Sequence, residues 1–218
     1  APPLPMEPPQ KRPRCGGGVQ TAALGSATAA IHGDDSSPWG EDGGELFSTR
    51  ADIAPPLSLT TTFECPPEGS QARGHCYSRI SCPSRSRCEA LLAAVEGAPG
   101  APAHAVLYSS GLAACFAVLS RLVPARVAIS GGYHGTHLVL HQLQRLSGGS
   151  RYQVVPLPRP EEVASTLQPG DVLWLETPKN PTCDVADIAA YAAAARAAGG
   201  ARVVVDGTFA PPPLQRPL

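Results

Sequence analysis

The 218 residues carry a formal net charge of -1, with 43% hydrophobic and 5% aromatic residues. Such a chain can bury one largely aliphatic core, with or without a tail, and its near-neutral charge offers no basic surface for nucleic acid or an acidic membrane. No apolar run approaches the roughly 20 residues that cross a bilayer, and residues 1–18 hold no apolar stretch suited to a signal peptide. A cytoplasmic protein with no membrane or nucleic-acid partner is expected.

Residues 1–44 are rich in Pro, Gly, Ser and charge and read as a flexible arm. Within it Lys11, Arg12 and Arg14 read as a solvated basic patch rather than a nuclear signal. Residues 45–86 are expected to be extended, because Pro55 and Pro56 forbid a helix and the Ser/Thr-rich run after them favours extended backbone. The seven cysteines are odd in number and follow no secretory signal, which argues against a disulfide framework. Cys76, Cys82 and Cys88 recur evenly but lack the close CxxC-type pairs of zinc sites, so no metal is assigned to them.

From Arg87 to Leu218 the pattern is regular. A helix is predicted over Arg87–Glu96 and stops at Gly97; a short apolar strand follows at His104–Tyr108. Next come a helix at Gly111–Leu122 with Ser109 or Ser110 as N-cap, a strand at Arg126–Ile129 and a helix at Gly135–Leu146. Tyr152–Pro156 with Glu161–Leu167 repeats the unit, as does Val172–Glu176 with Val185–Ala198, before a last strand at Val203–Asp206. The wholly apolar character of VLWL and VVV fits strands buried on both faces. This alternation predicts an α/β domain, doubly wound around a largely parallel sheet.

Ligands of such sheets bind beyond the carboxyl ends of the strands. There the sequence offers Ser109-Ser110-Gly111-Leu112, whose small residues at a helix start can expose N–H groups to a phosphate. Tyr133, inside GGYHG, can project a ring for stacking on a flat heteroaromatic group. Asn180, between two prolines, can bond a ligand oxygen, and Asp206 at the end of a valine strand calls for a cation or donor. Each taken alone has an ordinary structural explanation: a helix start, a packed tyrosine, a turn, a cap. Together they match what pyridoxal 5'-phosphate requires, namely a phosphate cradle, a stacking ring, a partner for the ring hydroxyl and an acid for the ring nitrogen. His134, His137 and His141 have no carboxylate or cysteine at ligand spacing and are read as surface or packing residues. No GxSxG elbow and no strand followed by GxGxxG supports a hydrolase or a dinucleotide domain.

The segments IHGDD, STRADIAPPLSLTTTF, YSRISCPSR, YSSGLAA, GGYHGTH, ETPKNPT and VVVDGTFAPPPLQRPL, in this order, resemble the Cys/Met-metabolism (trans-sulfuration) family of pyridoxal-phosphate enzymes. The GYHG form and the PPPLQRPL run look most like fungal-type cystathionine γ-synthases. The resemblance implies the aspartate aminotransferase-like fold (fold type I), here as a partial large domain over residues 87–218 without the C-terminal small domain. It implies that Ser110, Gly111 and Leu112 form the phosphate turn, that Tyr133 stacks on the pyridine ring and that Asn180 lies near the ring hydroxyl. Asp206 would keep the ring nitrogen protonated, with Thr208 beside it, which makes Tyr133 and Asp206 the expected catalytic contributors. Tyr77 and Arg79 would reach the cofactor phosphate of a neighbouring subunit, as part of the extended segment 45–86, so a homodimer or homotetramer is implied. The implied reaction is γ-replacement or elimination on cysteine and activated homoserine, or on cystathionine. Two departures stand out: Cys82-Pro83-Ser84 replaces the usual Asn-Pro-Thr, and Gly207 replaces the usual Asn. The lysine that holds the cofactor covalently in the family lies past the position of Leu218. The chain is therefore expected to bind the cofactor non-covalently at best and to be inactive as it stands. The alternatives are a cystathionine γ- or β-lyase-like enzyme, or a non-catalytic fragment that pairs with full-length subunits.

Overall fold

The computed structural model describes residues 56–63, 75–97 and 103–218. The arm expected over residues 1–44, including the basic cluster, lies outside the described residues, as does part of the extended segment over 45–86. The chain divides into two compact units, residues 1–94 and 95–218.

In the first unit Thr62 and Tyr77 form an isolated antiparallel bridge, with Phe63 N–H donating to the Cys76 carbonyl (2.9 Å) and Ser78 N–H to the Thr61 carbonyl (2.8 Å). The chain then enters α1 (Pro83–Glu96). This helix starts a turn earlier than the apolar periodicity predicts. Proline suits a first helical turn because its φ is already helical and its missing N–H is not needed there. The Cys82 carbonyl accepts the Ser86 N–H at 3.0 Å.

The second unit holds α2 (Gly111–Leu122), β1 (Arg126–Ala128), α3 (His134–Leu146), β2 (Gln153–Val155), a 3-10 turn (Pro160–Glu162), α4 (Val163–Thr166), β3 (Val172–Glu176), α5 (Ile188–Ala197) and β4 (Arg202–Asp206). All strand pairings are parallel and the order is β2-β1-β3-β4. The run His104–Tyr108, predicted as a strand, does not join this sheet: its residues are irregular, with Val106 68% exposed. A strand is stabilised by the ladder it enters, and none of the four strands pairs with this run.

Alternation along β3 shows how the sheet is covered. Val172 and Trp174 pack with Leu119 of α2 and Leu140 and Leu143 of α3. Leu173 and Leu175 point the other way, toward Val163 of α4 and Tyr191 and Ala195 of α5. Helices therefore lie on both faces, as a parallel sheet with apolar strands requires. Because β2 and β3 flank β1 on opposite sides, the loops after β1 and β3 leave the sheet at a topological switch point. No helix among the described residues is long and apolar enough to cross a membrane.

Candidate functional site

A cavity of about 590 Å³ opens at the carboxyl ends of β3 and β4, on the α2–α3 face of the sheet. Glu176 and Asp206 end these two strands as register partners, so both carboxylates project to one face. Both line the cavity, and they are the charged residues among its described lining. Asp206 is held by the next turn: its Oδ1 accepts the Thr208 N–H (3.1 Å) and the Thr208 hydroxyl.

The opposite wall is the start of α2. Ser110 is extended (φ -159, ψ 158), and its Oγ accepts the Ala113 N–H at 3.1 Å. Its carbonyl takes the Ala114 N–H at 3.1 Å. The N–H groups of Gly111 and Leu112 belong to the first turn and have no acceptor within the helix. A Cβ placed on Gly111 would meet nothing within 4 Å, so this end of α2 is open to a ligand.

Tyr133 enters from the loop between β1 and α3 and is 37% exposed. Its ring lies so close to Gly135 that a Cβ there would come within 2.4 Å of Cε1, and within 2.9 Å of Leu112 Cδ2. Glycine at 135 thus leaves the space into which the ring folds. His134 packs against the same ring, with centroids 4.6 Å apart, and His137 Nε2 bonds the Gly131 carbonyl at 2.8 Å. These two histidines support the loop. Asn180 completes the rim from the turn after β3, whose backbone is braced by Lys179 N–H to the Asp184 carbonyl (2.9 Å) and Cys183 N–H to the Lys179 carbonyl (2.7 Å).

Of the residues singled out from the sequence, Ser110, Gly111, Leu112, Tyr133, Asn180, Asp206 and Thr208 all line this one cavity. Tyr77 and Arg79 are not among them. They lie in the first unit, both exposed, with the Arg79 guanidinium 4.9 Å above the Tyr77 ring centroid. Glu176 is the residue that sequence reasoning missed. Its Oε2 accepts the Tyr133 N–H at 2.7 Å, and its Oε1 accepts the Asn180 N–H at 2.8 Å. The available signal was its place at the carboxyl end of a strand, opposite Asp206.

Gly207 also acquires a role. A Cβ there would sit 3.1 Å from Gln215 Nε2, which donates to the Thr177 carbonyl at 2.6 Å. Lys179 is the lysine among the described residues, and it pairs with Asp184 at 2.8 Å instead of lining the cavity.

The family profile described as Cys/Met metabolism PLP-dependent enzyme matches residues 42–218. The chain belongs to that family. Within the Cys/Met-metabolism family it is 34% identical to the cystathionine gamma-lyase of Homo sapiens, over 88% of this chain and 45% of the human one. It is 32% identical to a protein of Herpetosiphon aurantiacus named "Probable cystathionine gamma-synthase", over 89% of this chain and 57% of that one. Among solved structures, metB from Corynebacterium glutamicum superposes with a TM-score of 0.71 at 29% identity, covering 91% of this chain and 49% of that chain. The chain thus spans about half the length of the relatives it matches.

Pyridoxal 5'-phosphate is the cofactor of this family. The cavity fits it in the chemistry of its donors and acceptors: free N–H groups at one wall, a carboxylate at the other and an aromatic face between. One buried polar atom of the lining, Trp174 Nε1, has no hydrogen-bond partner in the protein. Buried polar groups are almost always paired, so such an atom marks a wall built to face a bound group or ordered water.

Proposed function

We propose that these residues form the cofactor-binding half of a pyridoxal-phosphate enzyme of trans-sulfuration, one that performs γ-replacement on sulfur amino-acid precursors in the manner of a cystathionine γ-synthase. The observation that carries the reading is the convergence of Tyr133, Asn180, Asp206 and the start of α2 on one cavity. When bound, the cofactor supplies an electron sink for carbanions next to the amino group of an amino acid.

The chain's own part is to bind and orient. The Gly111 and Leu112 N–H groups and the α2 dipole hold the phosphate. Tyr133 covers one face of the ring and sheds water from it, and Asn180 bonds the ring hydroxyl. Asp206 keeps a proton on the ring nitrogen, its Oδ1 steadied by Thr208. A lining whose charges are two carboxylates suits a ring that carries positive charge at that end. Tyr77 and Arg79, preassembled by stacking, would serve the phosphate of a neighbouring subunit in a homodimer or homotetramer. With Lys179 turned to Asp184, binding by the described residues is non-covalent.

The 34% identity to a cystathionine gamma-lyase favours a second reading, elimination from cystathionine. An enzyme completed by a Schiff-base lysine would consume cystathionine in one reading and cysteine with activated homoserine in the other, whereas the described residues alone, with Lys179 paired to Asp184, are expected to turn over neither.

Titration with pyridoxal 5'-phosphate, followed by absorbance and by Tm, tests the cofactor reading. Saturable binding that remains dialysable after borohydride is expected. Asp206→Asn should weaken it about tenfold or more, the scale of one charge-assisted hydrogen bond. Wild-type protein that neither shifts in absorbance nor gains stability would overturn it.

A further inference from the structure

Glu176 does a task that the cavity's ligand contacts do not describe. It is the last residue of β3, and its side chain forks. Oε2 takes the N–H of Tyr133, in the loop after β1, and Oε1 takes the N–H of Asn180, in the loop after β3. One carboxylate therefore joins the two loops that diverge at the switch point. The fit around it is close: a Cβ on Gly132 would lie 2.3 Å from Oε2, and Gly132 has a φ of +87. The glycine turn wraps the carboxylate, and a side chain at 132 would expel it.

Neither amide has an obvious substitute acceptor. Tyr133 is the N-cap of α3, so its N–H lies before the helical ladder. Asn180 sits in an irregular turn between Pro178 and Pro181. Two N–H groups converging on one carboxylate need both oxygens and gain from its charge. A glutamine offers one acceptor oxygen, and an aspartate is one methylene too short.

We infer that Glu176 is a positioning residue that sets the separation between the Tyr133 ring and the Asn180 amide, and so the width of the slot a flat ligand enters. The inference rests on the cofactor reading proposed above, which assigns a ring to that slot.

The test uses the whole 218-residue chain as wild type, Glu176→Gln and Glu176→Ala, with two readouts. Backbone hydrogen exchange at Tyr133 and Asn180 is measured without ligand, with β3 interior amides as the reference for global folding. Affinity for pyridoxal 5'-phosphate is measured by absorbance. Exchange should quicken about tenfold at one of the two amides in E176Q and at both in E176A, with the β3 interior unchanged. Cofactor affinity should fall about tenfold in E176Q. If E176A fails to fold, the isosteric E176Q carries the test. Both amides staying as protected in E176Q as in wild type would overturn the clamp. Faster exchange combined with unaltered cofactor affinity would overturn its positioning role. Faster exchange in a protein whose wild type never binds the cofactor would uphold the clamp and sink the cofactor reading instead.

Discussion

Cys115 illustrates how the cavity acts on a single residue. It lines the cavity from α2 half-buried, and burial, followed by the nearby charge of Asp206, pushes its thiol above the ordinary pKa. The unfolded thiol ionises first as pH rises. The native state is thus undisturbed below the free-thiol pKa and loses stability as pH climbs from there through the folded value. Melting temperatures of wild type and Cys115→Ala should therefore diverge above about pH 8.5, with wild type falling more steeply. Alkylation at neutral pH should reach the exposed Cys88 and Cys183 about tenfold sooner than Cys115; equal rates would contradict this environment. At this scale, residue type and place in the sequence point to Tyr133, Asn180 and Asp206, because a ring after two glycines, an amide between prolines and an acid after three valines each stand out from their surroundings. Glu176 does not stand out. An acid ending a strand looks like ordinary solvation until the fold brings the distant Tyr133 N–H to it beside the nearby Asn180 N–H.

Among the elements, periodicity alone identifies α2, β3 and most of α3, since each combines a strong apolar pattern with a clear stop. Their ends are set by local chemistry. Capped by Asp187, α5 begins at Ile188, three residues after the predicted Val185, because the Asp187 Oδ1 accepts the Ala190 N–H at 2.9 Å and the residues before it remain irregular. Asp187→Ala should cost about 1 kcal/mol in urea unfolding without changing cofactor affinity, since the cap lies outside the cavity lining. A loss of affinity would show that α5 and the cavity are coupled. The segment Glu161–Leu167 reads as one helix but divides into a 3-10 turn and a four-residue helix. Pro160 starts the turn, which is tightened because Glu162 Oε2 accepts the Arg159 N–H (3.1 Å) while the Glu162 N–H donates to the Arg159 carbonyl (2.9 Å).

Across the whole second unit, the sheet is tied at the end opposite the cavity by Asp171, which is 2% exposed. Its carboxylate accepts the Arg126 N–H (3.1 Å), Arg126 Nε (2.9 Å) and the Gln168 N–H (2.9 Å), while its carbonyl accepts the Arg202 N–H (2.7 Å). One residue thereby links the starts of β1, β3 and β4. Removing the buried carboxylate strands the N–H groups of Arg126 and Gln168 as well as the part-exposed Arg126 guanidinium, so Asp171→Ala should cost about 3 kcal/mol in denaturant unfolding. A cost under about 1 kcal/mol, the worth of an exposed pair, would show that Arg126 finds water instead. The switch point at the far end and this knot at the near end divide the sheet between one rim that opens a cavity and one that ties the strands together.

The amino-acid sequence by itself determines the parallel α/β architecture and the residue types that line the cavity, because hydrophobic period and turn chemistry are local properties of the chain. Only the tertiary structure decides that His104–Tyr108 stays out of the sheet and that Glu176 joins its own following loop to the one holding Tyr133, 43 residues earlier in the chain. Both outcomes depend on which backbone groups find partners across space, and a pattern along the chain carries no record of that pairing.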